Sequence, residues 1–308
     1  MKRSNQRPST CSDRRSAAAG ITGYFDLRRK ALESRLKAAR DFYAVDGIHE
    51  LRVEIKRMRA LYELIDYAVA GFAVKPEAYA FKPLFRAAGR LRDIDIQQAI
   101  IVPYLRQYDL REFYNELKRR EIEYRPSFAQ TIDLFTMSVL VAGRSQIRSA
   151  VAATPGNQLR KRMTRRLLKR ASQLVELTGK SRPDCETLHL VRKSAKRVRY
   201  CLELWQACYG PTHLGNSAVR LLKSSAGVLG EWHDTLLTLE SVESFLSETE
   251  IARLVDVHGY RRIRRDLKNR AGNLLIKYDR GLLRLRRALS DLVDGLKAQL
   301  GDRSSVSR

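Results

Sequence analysis

Two segments of the chain carry the same basic pattern, H-x-x-R-x-x-x-K-R-x-R. The first copy is His49, Arg52, Lys56, Arg57 and Arg59. The second copy, with one extra lysine inside it, is His189, Arg192, Lys193, Lys196, Arg197 and Arg199. Offsets 0, 3, 7 and 10 share one side of an α-helix, because each residue turns the helix by about 100°. Each copy therefore predicts a helical stripe of His, Arg, Lys and Arg that suits a multivalent anion, since Arg and Lys both bind phosphate oxygens.

Each stripe has an apolar arc beside it, which is predicted to face the core. The eight positions of these arcs are Leu51, Ile55, Met58, Tyr62, Val191, Ala195, Val198 and Leu202. With the apolar arc buried, the cationic stripe would face a groove. The alternative interpretation is a solvated basic helix face, which arises easily in a chain with 59 Lys and Arg residues. Two copies with matching residue types at five offsets favour the groove.

A second pair of segments follows the stripes, FKPLFRAAGRLRDIDI and LLKSSAGVLGEWHDTLL. Aligned, Gly89 matches Gly230 and Asp93 matches Asp234, at a spacing of 141 residues, against 140 for the two histidines. The shared spacing predicts a tandem duplication. The further anion-binding candidates here are Lys82, Arg86, Arg90, Arg92, Lys223 and His233. The two aspartates are predicted to orient cationic side chains by hydrogen bonds, although a plain surface or helix-terminal role is the alternative.

The periodicity predicts an all-α fold with no strand. The helices are expected near residues 22–43, 47–69, 77–107, 109–125, 127–152, 157–178, 185–209, 214–246 and 259–299. Asp184 is predicted to cap the helix of the second stripe. Residues 1–20 are predicted to be a flexible basic tail, followed by helical subdomains at 21–153 and 154–300 and a short tail at 301–308.

Composition independently indicates a polyanionic or anionic-surface partner. The net charge is +25, and a hydrophobic content of 44% is enough for a packed core. The four cysteines form no C-x-x-C pair and no His cluster has zinc-ligand spacing, so neither a metal nor another cofactor is expected. No apolar run is long enough to span a membrane, and the basic N-terminus lacks the apolar region of a secretory signal. A cytoplasmic location is expected.

The two His-headed basic helices and the Gly-x-x-x-Asp segments resemble the CHAD domain, the conserved histidine α-helical domain. The resemblance extends from about residue 21 to about residue 300. It implies an internally duplicated fold of two four-helix bundles related by a pseudo-twofold axis. It also implies that the cationic residues bind inorganic polyphosphate, often at polyphosphate granules. In the second half Trp232 and His233 replace Leu91 and Arg92, so the halves need not bind equally.

Three other functions compete with polyphosphate binding. Nucleic acid fits the charge, but aromatic residues are only 8% of the chain and form no evident stacking platform. A histidine phosphotransfer protein would use His49 or His189, yet it would give the remaining cations no purpose. A phosphoanhydride hydrolase normally needs a metal held by carboxylates, and Asp93 with Asp95 is the only tight pair near the motif, while the second copy has Asp234 alone. We therefore expect a binding protein rather than an enzyme.

Overall fold

A computed structural model of the chain describes residues 10–42, 45–72, 75–135, 138–180, 183–247 and 257–301. Over these ranges the helices are α1 (Thr10–Phe42), α2 (Val45–Ala68), α3 (Lys75–Ile101), α4 (Arg111–Leu134), α5 (Ser138–Ala153), α6 (Gly156–Gly179), α7 (Cys185–Tyr209), α8 (His213–Ser247) and α9 (Val257–Leu300). One short 3₁₀ helix, Val102–Tyr104, follows α3. The same ranges contain no strand, so the predicted all-α class is confirmed. No helix within them has the length and apolar character needed to cross a membrane.

The predicted helix break at Pro126 is wrong. Helix α4 runs through Pro126 to Leu134, and the interruption before α5 comes after Phe135. A proline inside a helix removes one backbone hydrogen bond. Phe128 and Ile132, in the turns after the proline, are buried in the core. Their burial, at roughly 1.5–3 kcal/mol for each large apolar side chain, offsets the lost bond.

The prediction of a flexible tail over residues 1–20 is wrong for residues 10–20, which are helical. Helix α1 already begins at Thr10, and Ala17 is buried in the core. Gly20 packs so closely on α7 that a β-carbon there would lie 2.7 Å from the Cα atom of Cys208. Residues 1–9 and 302–308 lie outside the described ranges.

The apolar arcs beside the two stripes are buried, as predicted. All eight positions of the arcs on α2 and α7 are at most 1% exposed. Asp184 caps α7, where its Oδ1 accepts a hydrogen bond from the backbone N–H of Thr187 at 2.7 Å. The buried apolar arc determines how α7 is rotated about its axis, and the Asp184 cap determines where the helix begins. Together they determine the direction in which the second stripe points.

The main core runs through both halves of the chain. The predicted junction at residues 153–157 coincides with the break between α5 and α6, but one cluster of buried side chains extends from α1 to α9 across it. A smaller cluster joins α3 and α4 to α8 and α9. Four helices, α2, α3, α8 and α7, contact one another in a closed cycle, in that order. This cycle brings the two stripe helices and the two Gly-x-x-x-Asp helices together; the duplication itself stays a prediction.

Candidate anion-binding groove

The two stripes meet at the contact between α2 and α7. Lys56 and Arg59 of the first stripe line a cavity of about 240 Å³, and Lys193, Lys196 and Arg197 of the second line the same cavity. Cationic groups from copies 140 residues apart in sequence thus share one concave surface. We name this surface, together with the adjoining His49, Arg52, Arg92, Asp93, His189, Arg192, His233 and Asp234, the groove.

Phe85 of α3 orders the first stripe. The guanidinium of Arg52 lies over the Phe85 ring at 4.4 Å from its centroid, and its Nη1 donates to the Phe85 backbone carbonyl at 3.0 Å. The ammonium of Lys56 is 5.4 Å from the same centroid, and the guanidinium of Arg59 is 5.9 Å from it. A cation near an aromatic ring gains about 0.5–1 kcal/mol at an exposed site. Phe85 therefore holds three cations of this stripe in fixed positions.

Gly89 gives Arg52 the space it occupies. A β-carbon at Gly89 would lie 2.5 Å from Nη1 of Arg52, well inside van der Waals contact. Gly230 faces the matching Arg192 in the second half, where a β-carbon would be 3.9 Å from Nε. Each shared glycine thus faces the shared arginine of its own half, and the approach is tight only in the first half.

The second stripe has different neighbours. Ala226 stands at the position that Phe85 occupies in the first half, 141 residues earlier. Arg192 lies 3.9 Å from the carboxylate of Asp234, which is an ion-pair distance but too long for a hydrogen bond. The ring of His233 lies 4.7 Å from that of His189, at an interplanar angle of 57°. The second half therefore has a histidine, His233, where the first half has Arg92, and it lacks the ordering phenylalanine.

Burial and neighbouring cations lower the pKa values of two groove lysines, Lys56 and Lys196. Burial, followed by the charges of Lys196 and Arg52, lowers the pKa of Lys56 to about 7. Burial and the charge of Arg192 likewise lower the pKa of Lys196 to about 8. The pKa values of Arg52 and Arg192 are also lowered, chiefly by burial. The empty groove thus disfavours the positive charges that its sequence supplies.

The pKa values of the three groove histidines are lowered in the same way. The pKa of His49 is lowered by loss of solvent and then by Arg92 and Lys56. The pKa of His189 is lowered by loss of solvent and then by Lys193. Burial and the charge of Arg192 lower the pKa of His233 to about 4. In all three rings the empty groove therefore favours the neutral form over imidazolium.

The two aspartates lie among these cations. Loss of solvent raises the pKa of Asp93 above its usual value, while Arg52 acts in the opposite direction and the negative charge of Asp234 adds to the rise. Loss of solvent likewise raises the pKa of Asp234, against the charges of Arg192 and Lys196. Each carboxylate therefore interacts electrostatically with the arginine of its own half, but no hydrogen bond from the described residues reaches either one, so the orienting role by hydrogen bonds stays a prediction.

Comparison with known proteins gives the family of the chain. The family model described as "CHAD domain" matches residues 23–243. The chain belongs to the CHAD domain family. Its fold is similar to that in the crystal structure of the CHAD domain from the plant Ricinus communis, with a TM-score of 0.63 at 17% sequence identity, covering 89% of this chain and 91% of that one. A search of curated proteins found no match.

Two of the predicted anion ligands of this CHAD domain are paired with carboxylates. Nη1 of Arg57 donates to Glu54 at 2.5 Å, and its Nε lies 3.5 Å from Glu203. Nε of Arg199 lies 3.4 Å from Glu203, and the Arg199 side chain is only 13% exposed. Glu203 on α7 therefore joins an arginine of α2 to one of its own helix. These two arginines connect the stripe helices, and their charges are already partly balanced.

The predicted residues outside the stripes fall into two groups. Arg92 acts on the pKa values of His49, Asp93 and Asp234, which places it in the groove. Its Nε atom is buried and makes no hydrogen bond with the described residues. The second group consists of exposed side chains on α3 and α8, namely Lys82, Arg86, Arg90 and Lys223. Of these, Arg90 lies 5.4 Å from the Tyr124 ring on α4. The second group would contact a ligand that continues beyond the groove.

Sequence reasoning missed several residues that shape the groove of the CHAD domain. Phe85 is the most important, and its position four residues before Gly89 places it near the motif arc. Glu63, Arg170 and Tyr200 also line the cavity. Arg170 pairs with Glu63 at 2.8 Å, so the far wall of the cavity is less basic than the stripes. No sequence pattern indicates this pair, because its members lie on α2 and α6.

A larger cavity than that of the groove lies elsewhere in this CHAD domain. A cleft of about 890 Å³ lies among α1, the start of α6 and the ends of α7 and α9. Its lining contains only two cations, Arg160 and Lys161. The smaller groove cavity contains six Lys or Arg side chains and one carboxylate. Charge, rather than volume, therefore identifies the candidate site.

Proposed function

We propose that this CHAD domain binds inorganic polyphosphate in the groove. The observation that carries the proposal is the convergence of both basic stripes on one cavity. Lys56 and Lys196 lie close together there, and their pKa values are lowered first by burial and then by repulsion from neighbouring cations, a repulsion that a polyanion would relieve. Guanidinium and ammonium groups are also the side chains best suited to phosphate oxygens.

A linked chain of phosphates fits the groove better than a single phosphate. Each stripe extends about 15 Å along its helix, at 1.5 Å per residue. The cations are spread over both stripes and the exposed residues of α3 and α8. A chain that contacts several of them gains multivalency, since each later contact forms at a high effective concentration. Orthophosphate and ATP would occupy only part of this surface.

The family supports the same ligand, and the ligand implies a location. CHAD domains are associated with polyphosphate, so membership agrees with the charge arrangement. A protein that binds long polyphosphate would be found at polyphosphate granules, and we propose that location. We propose binding without catalysis, because the groove supplies mainly cations to hold phosphate, and of its carboxylates Glu63 is already paired with Arg170 while Asp93 and Asp234 lie among arginines.

Calorimetric titration with polyphosphate of defined length tests the proposal. We expect long chains to bind much more tightly per molecule than ATP or orthophosphate, with affinity falling steeply as salt rises. RNA at equal phosphate concentration should compete poorly. Equal affinity for ATP and the long chain would contradict polyphosphate binding, and stronger competition by RNA would favour a nucleic-acid ligand.

A pair of matched variants shows whether the groove is responsible. Lys56→Met with Lys196→Met removes two groove charges, whereas Lys30→Met with Lys37→Met removes two exposed charges from α1. Both variants lose two lysines, and the comparison is made at pH 6, below the lowered pKa values of Lys56 and Lys196, so that all four lysines are mainly charged. We expect the groove variant to bind long polyphosphate at least tenfold more weakly than the α1 variant. Equal losses would show that net charge, rather than the groove, attracts the polymer.

A further inference from the structure

Helix α9 carries a second basic surface, in addition to the groove. Between Arg261 and Arg287 the sequence has eleven Lys or Arg residues and only two Asp. This segment lies beyond residue 243, where the match to the family model ends. The charges of α9 therefore need an explanation separate from the groove.

Packing divides α9 into two faces. Ile263, Leu267, Leu274, Tyr278 and Leu285 are buried, and α9 packs through this face against α6 and α8. The exposed cations on the remaining arc, which we name the α9 row, are Arg261, Arg262, Arg265, Lys268, Lys277, Arg280, Arg284 and Arg287. At 1.5 Å per residue the row is about 39 Å long. It lies on the side of α9 opposite the buried face, and none of the residues that form the groove lies on α9.

Most charges of the row lack a balancing carboxylate. Arg265 lies 3.9 Å from Asp266, and Lys268 lies 3.9 Å from Glu243. For the other six cations, no carboxylate of the described residues lies within 4.0 Å. Asp266 also accepts a hydrogen bond from the Tyr108 hydroxyl at 2.9 Å, so it is shared. The row thus presents two groups of four exposed cations, from Arg261 to Lys268 and from Lys277 to Arg287, about 14 Å apart along the helix and open to an external anion.

We propose that the α9 row binds a second polyphosphate chain, so that one protein molecule links two chains. The inference rests on the proposed function, because it extends the same ligand chemistry to a second face. A straight row of unbalanced cations complements a flexible chain of phosphates, which can follow it by backbone contacts alone. Two sites that face different directions convert a binding protein into a cross-linker of polymer.

Other occupants fit the row less well. A second copy of the chain would bring like charges together. Single-stranded nucleic acid is usually held by exposed aromatic rings, whereas Tyr260 and Tyr278 of α9 are both buried. A membrane surface would require an apolar face, and the large apolar side chains exposed on the described part of α9 are Ile276 and Leu283, two turns apart.

The test compares two variants of the whole chain with the same loss of charge. The row variant carries Arg262→Glu, Arg265→Glu, Arg280→Glu and Arg287→Glu. The control carries Lys30→Glu, Lys37→Glu, Arg106→Glu and Arg148→Glu, all at exposed positions outside both surfaces. Calorimetry with a short polyphosphate counts the sites, and turbidity with a long polyphosphate measures cross-linking. Melting followed by circular dichroism checks that each variant is folded. If the row variant does not fold, a double variant with Arg280→Glu and Arg287→Glu is used instead.

We expect the wild type and the control to bind two short chains per molecule and the row variant to bind one. Long polyphosphate should give at least tenfold less turbidity with the row variant than with the control. Equal stoichiometry and turbidity in both variants would overturn the inference and leave the groove assignment intact. Duplex DNA binding is measured with the same two variants. If the row variant loses DNA binding but still cross-links polyphosphate, the row binds nucleic acid and the inference is wrong. A wild type that binds no polyphosphate would instead contradict the proposed function itself.

Discussion

The two stripes share a residue pattern but differ in how firmly they are held. In the first, Phe85 contacts three cations and Gly89 makes room for Arg52, which is also hydrogen-bonded to the backbone. In the second, Ala226 replaces the ring and Arg192 has only a long ion pair with Asp234. Ordered side chains lose less entropy when a ligand binds. The first stripe is therefore a preorganised half-site. The second is an adjustable one, and its half of the groove supplies two of the three groove histidines, His189 and His233.

Charge reversal gives the largest effect and tests whether the halves act together. Arg52→Glu with Lys56→Glu, or Arg192→Glu with Lys196→Glu, should each weaken long-chain binding roughly 100-fold, about 2.8 kcal/mol, with the first pair costing more. The reason is that one chain contacts both stripes, so either change affects the whole ligand. Calorimetry measures affinity and stoichiometry together. Independent stripes would instead lose half of the bound chains and keep the remaining affinity.

The pH dependence separates the lysines from the histidines. Lys56 and Lys196 have pKa values of about 7 and about 8 in the free protein, and a bound polyanion should raise both. The complex then takes up protons, so affinity should fall about tenfold between pH 7 and pH 9. Below pH 7 the histidines, whose pKa values are lowered in the free protein, should add a smaller gain as pH falls.

Two double variants show which residues are responsible for the change in affinity above and below pH 7. Lys56→Met with Lys196→Met should flatten the profile above pH 7, and His49→Gln with His189→Gln should flatten it below. The ligand titrates identically with every variant, so its own protonation cancels in the comparison. A profile that neither pair changes would place the titrating groups elsewhere.

Removing the Phe85 ring should make the first stripe behave more like the second, which has no such ring. Phe85→Leu removes three cation–π contacts and should weaken polyphosphate binding about fivefold to tenfold. Phe85→Tyr keeps the ring and should retain the affinity. Phe113→Leu, in the smaller core cluster, controls for lost stability. An equal loss of affinity in Phe85→Leu and Phe113→Leu would show that Phe85 acts through stability alone.

The two glycines provide the smallest and most direct comparison. Gly89→Ala should push the Arg52 guanidinium aside and weaken binding about threefold, with little change in the free energy of unfolding. The moved group is the flexible end of a side chain, and alanine favours a helix by about 1 kcal/mol over glycine. Gly230→Ala meets only ordinary contact and should raise the unfolding free energy by about 0.5–1 kcal/mol without affecting binding. Denaturant unfolding and calorimetry measure both, and identical behaviour of the two variants would remove this difference between the halves.

The sequence predicted the features that depend on helical periodicity. The arcs led by Leu51 and Val191 are buried, and Asp184 caps α7, because spacing along one helix determines these properties. It could not predict that Glu203 would balance Arg57, since that pair joins two different helices. The sequence also predicted a helix break at Pro126. The hydrogen bond that a proline removes can be recognised from the sequence of one helix, whereas the burial of Phe128 and Ile132 that offsets it depends on contacts with other helices.

The continuous core has a consequence for how the molecule loses its structure. Because the main cluster of buried side chains runs from α1 to α9, neither half of the chain has its own complete interior. A fragment cut at the junction between α5 and α6 would expose to water the surface that its missing half covers. We therefore expect the intact chain to melt in a single cooperative transition, in which both stripes are lost at the same temperature.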